Sequence, residues 1–345
     1  MKKSILHIGN FLSGHGLTRQ FIEELANKLE DAGWIVSRTS NVLFRPFRLF
    51  DMMLTILFKQ NRYSVAHIAV FSGHAFIWAE KSVWLLKLLN KPFVISLHGG
   101  NLPEFSKQNS KRIKFVLKSA TYVIAPSTYL FEKMGIYRED IIVINNPLNL
   151  PSYQFRPQSK PKPNLIWLRS FHKIYNPCLA PQVLSCLKND YHDIHLLMIG
   201  PDKGDGSFQQ TIEMIENLGI SKNVELIGRV PKNDVPKWLQ TADIFINTTN
   251  IDNTPVSVIE AMASGCCIVS TNVGGIPYLL ENGVDALLVP PNSAEAMASS
   301  VKRILTEPGL AEKLSANARK KAEQFDWSII LPQWEKLLEE ICCHG

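Results

Sequence analysis

Short apolar runs of the kind that form β-strands alternate with longer helical patterns along the whole chain. The first run, SILHIG, precedes a segment in which Ile22, Leu25 and Leu29 recur at helical spacing until Gly33 ends the pattern. Five more strand-like runs follow in the N-terminal half: WIVSRTS, VAHIAVF, FVISLH, TYVIAP and IIVIN. Alternation of this kind predicts a parallel sheet whose two faces are both covered by helices.

A proline-rich segment interrupts the alternation, and a second series then begins. Residues 146–163 contain five prolines and show no hydrophobic periodicity, which is typical of a linker. Six further strand-like runs come after it: NLIWL, IHLLMIG, NVELIG, DIFIN, CIVST and ALLVP. Helical patterns within 293–305, 309–324 and 327–342 close the chain.

Together these patterns predict an α/β fold of two tandem Rossmann-like, doubly wound parallel-sheet domains. The first domain spans 1–150 and the second spans 163–325, with a linker at 151–162. Residues 326–345 form a C-terminal helix whose candidate packing partner is the first domain. Because ligands of such sheets bind at the carboxyl ends of the strands, we expect the site in the cleft between the domains.

Composition narrows the class of protein. Of the 345 residues, 46% are hydrophobic and 20% are charged, which is globular composition and argues against long disorder. No apolar run approaches the roughly 20 residues of a membrane-spanning helix. The six cysteines fit neither a zinc spacing nor a secreted disulfide framework. We therefore expect a cytoplasmic protein.

Positive charge is concentrated in the N-terminal half. Residues 1–160 hold 21 Lys and Arg against 10 Asp and Glu, whereas residues 161–345 hold 16 against 21. This asymmetry indicates that the first domain meets an anionic partner, for which we do not expect nucleic acid. Four lysines at helical spacing form a basic stripe: Lys107, Lys111, Lys114 and Lys118. The stripe is either a solvated helix face or a surface for anionic lipid or a lipid-diphosphate acceptor, with peripheral contact at the inner membrane face.

A second segment of the first domain also mixes arginines with large apolar side chains. This segment, FRPFRLFDMMLTILF, spans residues 44–58. A buried helix that covers the sheet explains most of its composition, and we expect that arrangement.

The candidate chemistry centres on the stretch IDNTPVSVIEAMASG, residues 251–265. Thr254 is a good helix cap, Pro255 suits the first helical position and Gly265 suits the end of the helix. The free N–H groups of such a helix, placed after the strand DIFIN, can hold phosphate oxygens. Asp252 lies just ahead of the helix, and Glu260 lies inside it. The arrangement suits a nucleotide sugar, with the diphosphate at the helix start and hydroxyl groups on either side.

Side-chain spacing assigns two faces to this helix. Ser257, Glu260 and Ser264 fall three and four residues apart and therefore share one face. The other face is apolar and is expected to be buried: Val256, Ile259 and Ala263.

The stretch resembles the acid–seven–acid motif of glycosyltransferase family 4, whose members are retaining enzymes of the GT-B fold. Pro255 stands three residues after Asp252, and the family's Ala, Ala and Gly follow Glu260 in register. The resemblance continues through NVELIGRVPKNDVPKWLQTADIFINTT and STNVGGIPYLLENGVDALLVPP, and it spans most of the chain, more weakly in the N-terminal half. Two positions depart from the motif, because the family usually has Glu at Asp252 and Gly at Asn253.

The resemblance implies roles for both acids. Glu260 would bind the ribose diol of the nucleotide, and Asp252 would bind hydroxyl groups of the donor sugar. Since aspartate is one methylene shorter than glutamate, either the sugar contact shifts or an atypical donor is used. The phosphates would lie against the backbone around four residues: Thr254, Pro255, Val256 and Ser257.

The same resemblance assigns two cations to the leaving diphosphate. Arg169 follows the strand NLIWL where the family has its arginine, and Lys173 stands near the position of the family's lysine. A guanidinium at that place stabilises the charge of the departing group. Lys173 departs from the pattern, because it comes only four residues later and precedes Ile rather than Gly. The alternative for Lys173 is a solvated loop charge.

Three further positions follow from the resemblance. Gly14 and Gly16 lie in GNFLSGHGLT, the turn where the family has a glycine-rich loop near the donor phosphates, and either could be the equivalent. His98 ends the strand FVISLH before two glycines, and it is either a residue near the reacting sugar or a hydrogen-bonded structural histidine. Arg229 lies where the family's loop meets the nucleobase, chiefly through its backbone.

The expected function is transfer of a hexose-type sugar from a nucleotide-diphosphate donor to a glycan or lipid-linked acceptor in cell-surface polysaccharide biosynthesis. UDP is the expected nucleotide. No cofactor is implied, and no metal is expected because the chain has no Asp-x-Asp motif.

Two alternatives stay open. One is a non-catalytic partner that binds nucleotide sugar. The other is an NAD-dependent oxidoreductase, although the first domain lacks the GxGxxG fingerprint and the ribose-binding acid.

Overall fold

A computed structural model describes residues 3–17 and 19–344 of the protein, with His344 described by its backbone alone. These residues form two compact units. The first unit comprises the described chain up to Pro147 together with the segment from Trp327 onward, and the second comprises Leu148–Asp326. Each unit contains a six-stranded, all-parallel sheet, as the alternating pattern predicts.

The first unit is built around a sheet with the strand order β2-β1-β3-β4-β5-β6. Its strands are β1 Ser4–Ile8, β2 Ile35–Thr39, β3 Val65–Val70, β4 Phe93–Leu97, β5 Tyr122–Ala125 and β6 Ile141–Val143. Its helices are α1 Phe21–Asp31, α2 Arg45–Phe58, α3 Phe76–Leu88, α4 Leu102–Gln108, α5 Ser110–Ser119, α6 Thr128–Gly135 and the C-terminal α14 Trp327–His344.

Helices cover both faces of this first sheet, and each face has its own apolar core. One core joins β-strand residues to α2, α3, α5 and α6 through side chains such as Met52, Val83 and Val116. The other core joins the opposite face to α1 and α14 through Leu25, Leu29 and other buried side chains. The C-terminal helix therefore belongs to the first unit.

Helix α2 differs from the prediction for residues 44–58. Only one narrow stripe of the helix is buried, formed by Arg48, Met52 and Ile56. The expectation that burial explains most of its apolar content is wrong, because the helical period turns the phenylalanines to the opposite side. Four of them are exposed: Phe44, Phe47, Phe50 and Phe58.

The second unit has the strand order β12-β11-β10-β7-β8-β9. Its strands are β7 Asn164–Leu168, β8 His195–Ile199, β9 Val224–Gly228, β10 Ile244–Asn247, β11 Cys267–Thr271 and β12 Leu287–Val289. Its helices are α7 Leu179–Leu187, α8 Ser207–Asn217, α9 Val235–Leu239, α10 Val256–Ser264, α11 Ile276–Leu279, α12 Ala294–Thr306 and α13 Leu310–Ala322.

The segment 151–162, predicted to be a linker, lies within this second unit. Tyr153 is buried in the apolar core beneath α10, and the amide of Arg156 donates to the carbonyl of Ser264 at 3.2 Å. Just before the segment, the amide of Leu148 donates to Phe325 O at 2.6 Å. The segment's prolines suppress periodicity, but its side chains still bury apolar surface and tie it to the second unit.

None of the helices that the structure describes combines the length and the apolar character that a bilayer span requires. All six cysteines are free thiols, and Cys266 and Cys267 are buried.

Candidate functional site

Two oppositely charged side chains meet at the carboxyl edge of the second sheet. Arg169 directly follows β7, and Asp252 lies in the loop that follows β10. Because β7 and β10 are parallel neighbours, the segments after them emerge at the same edge of the sheet. The Arg169 guanidinium contacts the Asp252 carboxylate, and both side chains are largely buried. The structure thus brings together two residues that the sequence places 83 positions apart.

The surroundings of Arg169 leave part of its guanidinium available. The guanidinium lies over the ring of Tyr175, 4.1 Å from the ring centroid. Burial lowers the pKa of Arg169, whereas Tyr175 and the Glu260 carboxylate raise it. Its buried Nε has no hydrogen-bond partner among the described residues. An arginine stays protonated under these conditions, so the site holds a cation with an unused donor that suits an anion.

Two glycines allow the chain to pass close to this pair. A Cβ on Gly200 would lie 1.7 Å from the carbonyl oxygen of Arg169, and one on Gly275 would lie 1.9 Å from that of Asn253. The amide of Gly275 also donates to the carbonyl of Asp252 at 2.8 Å. Only glycine fits at these two positions. The close contacts fix the backbone on both sides of the Arg169–Asp252 ion pair.

Helix α10 begins one residue later than predicted. Pro255 has an extended ψ of 116° and is the N-cap, so the helix starts at Val256 and Thr254 does not cap it. The Pro255 carbonyl accepts from the amides of Val258 and Ile259 at 3.1 and 3.3 Å. A proline carbonyl can make these bonds although the residue has no N–H to donate.

The first turn of α10 carries a buried polar side chain. Ser257 is 7% exposed, and its Oγ has no hydrogen-bond partner among the described residues. The helix ends at Gly265, as predicted, with a left-handed φ of 88° and with no room for a side chain against Arg156 O. The predicted apolar face is buried at Ile259 and Ala263 and half-buried at Val256.

Glu260 lies inside the same helix and is nearly inaccessible, with 2% of its surface exposed. Its Oε1 accepts a hydrogen bond from the Tyr153 hydroxyl at 2.6 Å and contacts the ammonium of Lys232. Ser264, on the same face, donates from Oγ to the Glu260 carbonyl at 2.9 Å. Sequence reasoning missed Tyr153 and Lys232. The only available signal was that Lys232 stands three residues after Arg229, in a loop already associated with the nucleotide.

Lys173 lies in a 3-10 turn, Lys173–Tyr175, at the same edge of the sheet. Its side chain is exposed, and its amide donates to Asp205 Oδ2 at 2.8 Å. The turn is tied to the segment after β10, because the Asn250 amide donates to the Ile174 carbonyl at 2.8 Å. Arg229, by contrast, is exposed after β9, the edge strand two positions from β7.

In the first unit, His98 stands at the end of a buried chain of polar side chains. Its Nε2 lies 2.8 Å from Ser96 Oγ, which lies 2.7 Å from His67 Nε2. His67 Nδ1 in turn lies 2.9 Å from His7 Nδ1. Burial lowers the pKa of His98 to about 4, so its ring is neutral at physiological pH. Sequence reasoning missed Ser96, although its two-residue spacing from His98 places both on one face of the strand.

Gly14 and Gly16 lie in and just after the 3-10 turn Ser13–His15, and both are exposed. Gly16 has a φ of 75°, a conformation that favours glycine. A Cβ at either position would meet no atom within 4 Å, so the turn leaves open which glycine is the functional equivalent.

These features agree with a match to a family of known proteins. Residues 154–321 match the family model of Glycosyl transferases group 1. This matched segment contains Arg169, Asp252 and Glu260. Within the described residues, no three His, Cys, Asp or Glu side chains are grouped in a way that could hold a metal ion.

Curated relatives of the chain include glycosyltransferases. The chain is 23% identical over 258 residues to GalNAc-alpha-(1->4)-GalNAc-alpha-(1->3)-diNAcBac-PP-undecaprenol alpha-1,4-N-acetyl-D-galactosaminyltransferase of Campylobacter jejuni, covering 73% of this chain and 69% of that protein. It is 31% identical over 125 residues to the amylovoran biosynthesis glycosyltransferase AmsK of Erwinia amylovora, covering 34% of this chain and 31% of AmsK. The alignments to three other curated relatives cover 15%, 35% and 29% of their own lengths.

Solved glycosyltransferase structures share the fold over nearly the whole chain. Anabaena HepE in complex with UDP and glucose superposes with a TM-score of 0.75, covering 98% of this chain and 100% of HepE at 17% identity. The two Rossmann-like domains therefore have the GT-B fold, as predicted.

Proposed function

We propose that the protein is a family 4 glycosyltransferase that transfers a hexose-type sugar from a nucleotide-diphosphate donor with retention of anomeric configuration. UDP is the proposed nucleotide, and a glycan or lipid-linked molecule of cell-surface polysaccharide biosynthesis is the proposed acceptor. HepE was solved with UDP, and the names of the Campylobacter and Erwinia relatives refer to a lipid-linked sugar and to amylovoran, which supports these choices. The proposed location is cytoplasmic, with peripheral contact between the basic first unit and an anionic membrane.

The observation that carries the proposal is the buried Arg169 cation at the carboxyl edge of the second sheet. In the described part of the chain the Arg169 Nε has no hydrogen-bond partner, and the guanidinium contacts Asp252, the first acid of the acid–seven–acid motif. The amides of Val256 and Ser257 are free of intrahelical bonds at the start of α10. The arginine and the helix start together suit a diphosphate, which binds well to backbone N–H groups and guanidinium ions.

In the proposed mechanism, the bond between the anomeric carbon and the diphosphate oxygen breaks while the acceptor oxygen bonds to the same face of that carbon. The acceptor proton passes to an oxygen of the leaving phosphate, so no protein nucleophile is needed. Arg169, Lys173 and the start of α10 stabilise the negative charge that develops on the leaving diphosphate. These groups support transfer without a metal or a cofactor.

The remaining assignments follow the family resemblance. Glu260 would bind the ribose diol through the carboxylate that now meets Tyr153 and Lys232, and Asp252 would orient the donor sugar while sharing Arg169 with the diphosphate. His98 is proposed to position the sugar, Gly14 or Gly16 to approach the donor, and the backbone of Arg229 to meet the base.

A screen of nucleotide sugars by thermal shift, followed by a turnover assay, tests the proposal. A preferred donor should raise the melting temperature by mass action, and UDP release should be measurable with that donor by slow hydrolysis or by transfer to an acceptor. Binding without any release of nucleotide would favour the non-catalytic alternative. Absence of binding to every nucleotide sugar would contradict the proposal.

A further inference from the structure

The solvent face of α2 is apolar. Phe47, Phe50, Leu54 and Phe58 recur at spacings of three and four residues, opposite the buried stripe of the helix. Phe47, Phe50 and Phe58 are 66%, 63% and 80% exposed. A surface helix of a globular protein normally carries polar residues on that side, so this face is unexplained by the fold.

The apolar surface continues onto the neighbouring helix. Helix α3 packs against α2, and the Arg48 guanidinium lies 5.0 Å from the ring centroid of Trp78 across that contact. Ile77, Trp84 and Leu88 form one outward stripe of α3, and Trp84 and Leu88 are 58% and 66% exposed. We call the outward surfaces of α2, α3 and α5 the outer helical layer, since α5 packs against α3 on the same face of the sheet.

Positive charge accompanies the aromatic residues of the outer helical layer. The three helices contain eight Lys or Arg residues and only two acids, Asp51 and Glu80. The Glu80 carboxylate is paired with Arg112, and Asp51 accepts a hydrogen bond from Thr39. On α5 the exposed lysines border an aromatic ring, because Lys114 and Lys118 flank Phe115. The layer is therefore aromatic on α2 and α3 and basic on α5.

We propose that the outer helical layer docks onto the surface of an anionic phospholipid bilayer. Exposed Phe, Trp and Leu side chains can enter the boundary between headgroups and acyl chains, and lysines beside them attract anionic headgroups. The outer helical layer is the surface that makes the peripheral membrane contact proposed above. It includes α2, the helix that the sequence pattern predicts to be buried. It does not depend on transfer chemistry.

Charge distinguishes a bilayer from a second copy of the chain as the occupant. In a symmetric dimer formed through this layer, the basic residues of two copies would lie around one interface. Few acidic residues would be present to pair with them, so the like charges would repel. An anionic membrane instead complements the same cations, each of which contributes favourably near such a surface.

Co-sedimentation of the full chain with vesicles, without any nucleotide sugar, tests the proposal. The vesicles contain phosphatidylcholine alone or phosphatidylcholine mixed with phosphatidylglycerol. We expect binding to the mixed vesicles, and we expect the Phe50→Gln/Phe58→Gln variant to lose about tenfold in partitioning because two exposed rings no longer enter the boundary. Ile329→Gln is the matched control, since Ile329 is an exposed apolar residue on α14, on the opposite face of the sheet.

A second pair of variants tests the contribution of the lysines to membrane binding. Lys114→Glu/Lys118→Glu should weaken binding to the mixed vesicles by about tenfold or more, since each cation near the surface contributes to binding. Lys160→Glu/Lys162→Glu changes the net charge by the same amount in the second unit and should bind like the wild type.

Three results would overturn the proposal. The first is wild-type protein that stays in solution with both vesicle types, and the second is unchanged binding by the Phe50→Gln/Phe58→Gln variant. The third is a wild-type dimer that this variant converts to a monomer in sedimentation velocity, which would identify a second copy as the occupant. Because no donor is present, failure here leaves the transferase proposal intact, and loss of transfer activity leaves the membrane proposal intact.

Discussion

Replacement of the buried Glu260 carboxylate by an amide separates donor binding from stability. The Glu260→Gln variant keeps an oxygen that can accept from Tyr153 but loses the charge that faces Lys232. Because the Lys232 side chain is 56% exposed, the ion pair contributes only about 0–1 kcal/mol to the free energy of unfolding. The variant should therefore fold, whereas Glu260→Ala would also leave the buried Tyr153 hydroxyl without its partner.

The cost to donor binding should be larger. A hydrogen bond to a charged group contributes about 1.5–3 kcal/mol, so loss of the charge opposite the ribose diol should weaken UDP binding roughly 10- to 100-fold. Isothermal titration with UDP measures this change directly.

A second buried carboxylate provides a matched control. Asp285 is 1% exposed and pairs with Lys321, but it lies two residues before the start of β12 and therefore at the amino edge of the sheet, opposite the candidate site. Asp285→Asn should leave UDP binding unchanged. If Glu260→Gln bound UDP as tightly as the wild type, the assignment of Glu260 to the nucleotide would be refuted.

Three further predictions concern the charged centre, its support and the buried histidines. Arg169→Lys should lower kcat by about 10²–10³, because an ammonium cannot reproduce the guanidinium donors opposite the leaving diphosphate, and steady-state kinetics with an unaltered rate would argue against that role. Gly275→Ala should weaken donor binding at least tenfold by titration, since a Cβ 1.9 Å from Asn253 O must displace the loop that carries the first acid; wild-type affinity would mean that the loop position is unimportant. Burial lowers the pKa values of His7 and His98 to about 3 and about 4. Below pH 6.5 the unfolded chain therefore binds more protons than the folded chain, and the free energy of unfolding decreases as the pH falls. Urea unfolding should show a loss of about 1.6 kcal/mol per histidine between pH 6.5 and 5, and a flat profile over that range would contradict the buried neutral rings.

The fold was accessible from the sequence because both sheets are buried on two faces. Each strand then appears as a short continuous apolar run, and all twelve predicted runs correspond to strands. The start of α10 was misplaced by one residue, because a proline can serve as N-cap or as first helical residue, and only its ψ distinguishes the two.

Contacts between residues that are far apart in the sequence could not be predicted from residue spacing. His7 and His67 meet because they are register partners on β1 and β3, which requires the strand order 2-1-3 to be known. Glu260, Tyr153 and Lys232 converge from three separate segments of the second unit. The exposed face of α2 was missed for another reason, since an apolar helix has the same composition whether its second face meets the core or the solvent.

The most direct test of the central claim is a crystal structure of the protein with its preferred nucleotide sugar. We expect the diphosphate to lie within hydrogen-bonding distance of Arg169 and of the amides of Val256 and Ser257, with the ribose on Glu260. A nucleotide bound at any other place, with the Arg169–Asp252 contact undisturbed, would contradict it.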